Sequence, residues 1–126
     1  MIHPSIRTLA LMAALAASTL SLASTAQAAP FDGSWSVLII TRSGPCDQSY
    51  RFGAHISNGI VQYAGGGPVS VSGRVNASGH VSVRVSSGPQ YAVGSGRLSR
   101  NSGGGTWRGQ GPSGACAGTW SASRGG

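Results

Sequence analysis

The sequence predicts an all-β fold: an antiparallel meander of about eight short strands, closed or nearly closed into a small barrel and fastened by one disulfide. Three observations carry this. Beyond residue 29, apolar residues alternate with polar ones, the period of a strand with one buried face. Glycine makes up 21 of the 126 residues; its clusters break the chain every ~8–12 residues and make helices costly. Cys46 and Cys116 are the only two cysteines, and their positions suit closure of the first strand onto the last.

Taken in order, the first strand runs from Trp35 to Arg42, with Trp35, Val37 and Ile39 on one face. Ser43-Gly44-Pro45 turns the chain into a second strand, Ser49 to Ile56, with Tyr50, Phe52, Ala54 and Ile56 inward and Arg51 and His55 outward. Asn58-Gly59 is a strong hairpin signal, because both residues tolerate positive φ. A two-residue turn there pairs Ile56 with Val61 and Ala54 with Tyr63. All four share a face, so turn and pattern agree on register.

After Gly65-Gly66-Gly67-Pro68, Val69, Val71, Gly73 and Val75 alternate with polar residues. Beyond the turn Ala77-Ser78-Gly79, Val81, Val83 and Val85 do the same. The valines point inward, and Arg74, His80 and Arg84 point to solvent. The next hairpin joins Tyr91–Leu98 to Gly103–Gln110. With Arg100 and Asn101 in its turn, Gly96 faces Gly105 and Gly94 faces Trp107, leaving room for the indole to lie across the strand. Cys116 to Ser123 is the last strand, and Arg124 onward reads as a frayed end. Ser72-Gly73-Arg74-Val75 recurs as Ser95-Gly96-Arg97-Leu98, a duplication at the level of hairpins. Closing such a meander removes its exposed edges; an open sandwich is the alternative.

Residues 1–28 read as a cleaved signal peptide, and 29–126 as a single β-rich domain. Arg7 supplies positive charge, Leu9 to Ala17 an apolar centre, and Ala26-Gln27-Ala28 a small-residue cleavage site. The apolar run is short for a span of a roughly 30 Å hydrocarbon core, and no later segment is apolar enough to serve as a transmembrane anchor. The expected compartment is the periplasm or the exterior. Export favours joining Cys46 to Cys116. Closing the loop between them contributes roughly 4 kcal/mol in the chain-entropy description.

Past residue 28 the chain has eight arginines, two aspartates (Asp32 and Asp47), no lysine and no glutamate. These leave a net charge of +6. The composition argues against most enzyme classes. No Gly-x-Ser-x-Gly elbow or His-Glu-x-x-His zinc motif occurs. The two carboxylates sit in unrelated places, which disfavours glycoside hydrolysis. The glycine runs 65–67 and 103–105 lack the ending of a phosphate loop. No catalytic residue, metal centre or cofactor is predicted. Asn76-Ala77-Ser78 matches a glycosylation acceptor and reads as an exposed turn.

The arginines are the positive signal. A basic exported domain attracts acidic glycans, lipopolysaccharide phosphates or acidic proteins, and arginine can grip phosphate or carboxylate with two parallel bonds. No aromatic-interleaved basic stripe of the nucleic-acid-binding kind is present. The candidate anion-binding residues are Arg74 and Arg84, on one outer face, with His80 near the turn.

Phe31-Asp32-Gly33-Ser34-Trp35, Cys46 with Tyr50 and Phe52, Asn58-Gly59, and Cys116-Ala117-Gly118-Thr119-Trp120 together resemble a diffuse, largely uncharacterised group of small exported β-rich proteobacterial proteins. The group has a Phe-Asp-Gly-x-Trp start and a Cys-x-Gly-x-Trp end. The resemblance implies an exported β domain and transfers no active site. Gly33-Ser34-Trp35 also resembles the opening of lipocalin-type and avidin-type barrels, although about 98 residues is short for a barrel with a roomy cavity. The expected function is that of a non-catalytic binding or interaction module. A periplasmic hydrolase inhibitor, using a rigid loop near Cys46 or Cys116, is the alternative.

Overall fold

The computed structural model describes residues 29–125; residues 1–28, where the sequence predicts a signal peptide, lie outside them. A single 3₁₀ turn, Ala29–Phe31, leads into eight strands. They are β1 (Gly33–Ser43), β2 (Ser49–Ser57), β3 (Ile60–Tyr63), β4 (Ser70–Val75), β5 (His80–Ser87), β6 (Gln90–Leu98), β7 (Ser102–Gly111) and β8 (Gly114–Arg124). Each pairs antiparallel with the next, and β1 pairs with β8 to close the barrel. Closure leaves no unpaired sheet edge, so the sandwich is set aside.

The registers follow the side-chain pattern. Ile56 pairs with Val61 and Ala54 with Tyr63 around Asn58-Gly59. Both turn residues have positive φ, 52° and 77°, as the turn requires. The β4–β5 hairpin pairs Val75 with Val81 and Val71 with Val85. Gly94 is opposite Trp107, and Gly96 opposite Gly105.

One end of the barrel is packed shut. Phe31, Trp35, Ala54, Ile56, Val61, Val75, Val81, Leu98 and Ala122 are buried there. The Trp35 Nε1–H donates to the Phe31 carbonyl at 2.9 Å, which folds the 3₁₀ turn beneath the barrel. The Asp32 carboxylate accepts the backbone N–H groups of Asn58 and Gly59 at 3.0 and 3.3 Å, tying that turn to the same end.

Arg124 departs from the sequence expectation. It is the final residue of β8, and its guanidinium lies 4.7 Å from the centre of the Trp35 ring. Nη1 donates to the Asp32 carbonyl at 2.6 Å and Nε to the Arg100 carbonyl at 2.9 Å, while Nη2 reaches the Pro30 carbonyl. The next residue, Gly125, donates its N–H to the Ser34 carbonyl at 2.7 Å. The chain end is therefore a clamp, because orphan carbonyls around the plug give a planar five-donor group several partners at once.

The other end is held by the Cys46–Cys116 disulfide, with Cα atoms 6.2 Å apart. It joins the β1–β2 loop to the start of β8. Disulfide formation is the mark of a chain that folds outside the reducing cytosol. No helix among the described residues is long and apolar enough to cross a membrane.

Candidate binding site

The interior of the upper half is hollow. A cavity of about 250 Å³ lies inside the barrel, lined by Val37, Phe52, Val83, Gly94, Trp107 and Trp120 among others. It opens towards a mouth of about 320 Å³ bordered by Tyr50, Tyr63, Tyr91, Gln90 and Gln110. Tyr50, Phe52, Val71, Val85, Ala92 and Trp107 border both spaces, so the two are continuous. The β3–β4 seam, which borders the mouth, is the most sparsely paired in the barrel. Only Ile60↔Arg74 and Val61↔Gly73 pair there; β3 ends at Tyr63, and the glycine-rich stretch 64–69 intervenes before β4.

The length of the chain predicts little room, and small inward residues supply it. Ala92, Gly94, Gly96, Gly105, Gly109 and Gly118 occupy inward positions on β6–β8, where large side chains would fill the bore. Two of the freed spaces are taken by indoles. Trp120 lies across Gly105 and Gly96, and its Nε1–H donates to the Ser95 carbonyl at 3.1 Å. Trp107 lies across Gly118, and its Nε1–H donates to the Ile40 carbonyl at 3.1 Å. The expectation that Gly94 makes room for Trp107 is therefore corrected. The ring turns the other way, and Gly94 stays open to the cavity. A methyl group at Gly94 would meet nothing nearer than 3.5 Å.

All three indole N–H groups are committed to main-chain carbonyls, and no buried side-chain polar atom among the described residues lacks a partner. The lumen thus offers only hydrocarbon and aromatic faces. A cavity of this kind stays dry and takes apolar guests; one of ~150 Å³ suffices for benzene. Polar groups are confined to the rim. There, Tyr50 is 54% exposed, and its hydroxyl holds its proton beyond the usual tyrosine range. The hydrogen bond with Tyr63 is the main cause, followed by repulsion between the two phenolates and slight desolvation.

The sequence-predicted anion-binding residues come together as expected in register. Arg74 pairs with Ser82 and Arg84 with Ser72, placing both arginines on one outer face. His80, also exposed, sits opposite Arg97, whose Nη2 donates to the His80 Nε2 at 2.9 Å. The Arg84 guanidinium stacks 4.8 Å from the centre of the Tyr91 ring. Sequence reasoning missed Arg97 and Arg108 as members of this face, although their strand parity marks them outward. His55 lies on β2, away from His80. Among the described residues, no group of three or more His, Cys, Asp or Glu side chains gathers as a metal site would. Asn76 Oδ1 accepts the N–H groups of Ser78 and His80, both at 3.0 Å, so the acceptor-like motif caps a turn.

Fold and lumen together define a small up-and-down barrel with an apolar interior open at one end. Comparison with protein-family models, curated proteins and solved structures finds no match for the chain.

Proposed function

We propose that the protein is an exported, non-catalytic binding module whose barrel receives a small apolar molecule, or the apolar tail of an amphiphile, through the tyrosine-rimmed mouth. The continuous apolar lumen carries this reading. Its size suits one ring system or a short acyl chain. Main-chain carbonyls hold all three lining indoles, so the walls are preorganised and little ordering accompanies binding. Release to the periplasm or the exterior is read from the signal-like segment 1–28 and from the disulfide; intact mass of exported protein starting at Ala29 is the check.

The test uses N-phenyl-1-naphthylamine, a neutral apolar fluorophore. It should bind saturably and quench the emission of Trp107 and Trp120, and decanol should displace it. Gly94→Leu and Val83→Phe, which project into the lumen, should weaken binding by about tenfold or more without unfolding the barrel. Unchanged binding by both variants, or no saturable binding by the parent, would refute the reading. The alternative, inhibition of a hydrolase, rests on the exposed segment 44–48, which the disulfide pins beside the mouth. Screening against secreted proteases and muramidases tests that reading separately.

A further inference from the structure

The outer face of β4–β7 carries a pattern the lumen does not use. One row across the sheet reads Ser72, Arg84, Val93, Arg108. The next row towards the closed end reads Arg74, Ser82, Ser95, Thr106 and continues to Thr119 on β8. Beyond it lie His80, Arg97 and Gly104. A line of hydroxyls is thus framed by Arg84 and Arg108 on one side and Arg97 on the other, with Arg74 at its end. All four arginines are exposed. Arg84 and Arg108 stand two strands apart, about 10 Å at ordinary sheet spacing.

Two shallow, open hollows mark this face. One is lined by Ser82, Val93, Ser95, Thr106 and Arg108, together with Gly94 and Trp107, which also border the lumen. A second, lined by His80, Ser95, Arg97 and Gly104, adjoins it at Ser95. Gly104, which points outward without a side chain, keeps the floor low. The only carboxylates of the described chain are elsewhere. Asp32 caps the Asn58–Gly59 turn, and Asp47 lies in the β1–β2 loop.

The geometry points to a docking trough for a linear acidic polysaccharide, with sulfates or carboxylates on the flanking arginines and sugar hydroxyls on the Ser82–Ser95–Thr106 floor. Charge complementarity selects an anion. The hydroxyl floor suits a glycan, because Ser and Thr hydroxyls both donate and accept and so match sugar hydroxyls, which do the same. A single strand of nucleic acid would call for free aromatic faces to stack on; the exposed aromatic near this face, Tyr91, already lies under Arg84, and the Trp107 indole is held by the Ile40 carbonyl. A lipid surface would call for protruding apolar side chains, and here there is only half-buried Val93.

The probes are heparin and polygalacturonate, with phosphatidylglycerol vesicles and single-stranded DNA as the rival anions. The parent should bind both polysaccharides with an affinity that falls steeply with salt. Arg84→Ser/Arg97→Ser/Arg108→Ser should bind at least about tenfold more weakly, with a salt slope shallower by roughly two to three. Ser95→Val/Thr106→Val should weaken binding several-fold and leave the slope unchanged; valine is favoured in strands, so folding is kept. Arg42→Ser/Arg51→Ser, which removes charge from the β1–β2 side, should stay within about twofold of the parent. Val83→Phe, which fills the lumen and borders neither hollow, should bind as the parent does, which separates this surface from the lumen. Equal loss from the Arg42/Arg51 pair would mean net charge alone and would overturn the proposal. So would parental binding by the triple variant, no effect of the hydroxyl pair, or vesicle or DNA binding that heparin fails to compete.

Discussion

Arg124 and Trp35, at opposite ends of the described chain, stack with the guanidinium 4.7 Å from the indole centre, and this contact seals the closed end of the barrel. Trp35 is only 2% exposed, so the cation covers a ring that would otherwise face water. The same guanidinium donates to main-chain carbonyls on either side of it. β1 and β8 are the strands whose pairing closes the barrel. The clamp therefore acts where a meander must find its own beginning.

Arg124→Ala should destabilise the protein by about 2–3 kcal/mol, from lost charge-assisted hydrogen bonds and the cation–π contact. For a domain of this size that lowers the melting temperature by about 10 °C or more. Arg124→Lys should recover little, since an ammonium cannot span separate carbonyls as a fork does. Thermal and urea unfolding measure both. Stability within about 0.5 kcal/mol of the parent would show the residue to be the frayed end its position suggests.

Strand order, hairpin registers and the disulfide were legible in the sequence because each rests on a local rule. Alternation sets the faces, Asn58-Gly59 sets one register, and a lone cysteine pair behind a signal-like start sets the bridge. Arg124 was illegible because its partners, the carbonyls of Pro30, Asp32 and Arg100, are main-chain atoms brought together only by closure. The lumen was half legible. Glycines at every second position from 94 to 96 and from 103 to 105 signal missing volume on the inner face. Which glycines carry an indole and which stay vacant depends on how Trp107 and Trp120 turn, and strand parity does not encode that.

The inward glycines should therefore respond unequally to alanine. A Cβ at Gly96, Gly105 or Gly118 would fall 2.1, 2.0 or 1.9 Å from a main-chain oxygen and within 3 Å of an indole. Each of these alanine variants should lose about 3 kcal/mol or more through overpacking and shifted strands. Gly94→Ala has open space and an ordinary strand conformation, and should be neutral or up to about 0.5 kcal/mol stabilising. Melting curves of the four single variants decide it; a uniform response would contradict the placement of the indoles.

The tyrosine rim makes the mouth alkali-sensitive. Tyr50 is raised above the ordinary tyrosine value in the folded protein, first by the hydrogen bond with Tyr63. The unfolded chain then loses its proton first as pH rises, so the folded state binds more protons in that window. This contribution to stability is complete below about pH 10 and disappears as pH climbs through the folded value. Ultraviolet titration of the phenolates should show one group ionising later than a free tyrosine, and Tyr63→Phe should bring it back. A Tyr63→Phe titration identical to the parent's would remove Tyr63 as the cause.

The disulfide should stabilise one end more than the other. Cys46 lies in the β1–β2 loop and borders the mouth. Cys116 is buried at the start of β8, two residues before the glycine that carries Trp107. Reduction should lower global stability by up to roughly 4 kcal/mol, since the bridge closes a long loop in the unfolded chain. Native-state loosening should be local as well. The closed end is held by buried side chains and the Arg124 clamp, whereas the β1–β2 loop is fixed, besides the bridge, by Thr41 hydrogen bonds to Gln48 and Asp47 and by the packing of Gly44 beside the bridged Cys116. Amide exchange in the reduced protein should therefore accelerate at residues 41–48 and 111–118, while Ala54, Ile56 and Leu98 keep their protection until global unfolding. Uniform acceleration across both ends would mean the barrel opens as one unit and that the bridge has no local role at the mouth.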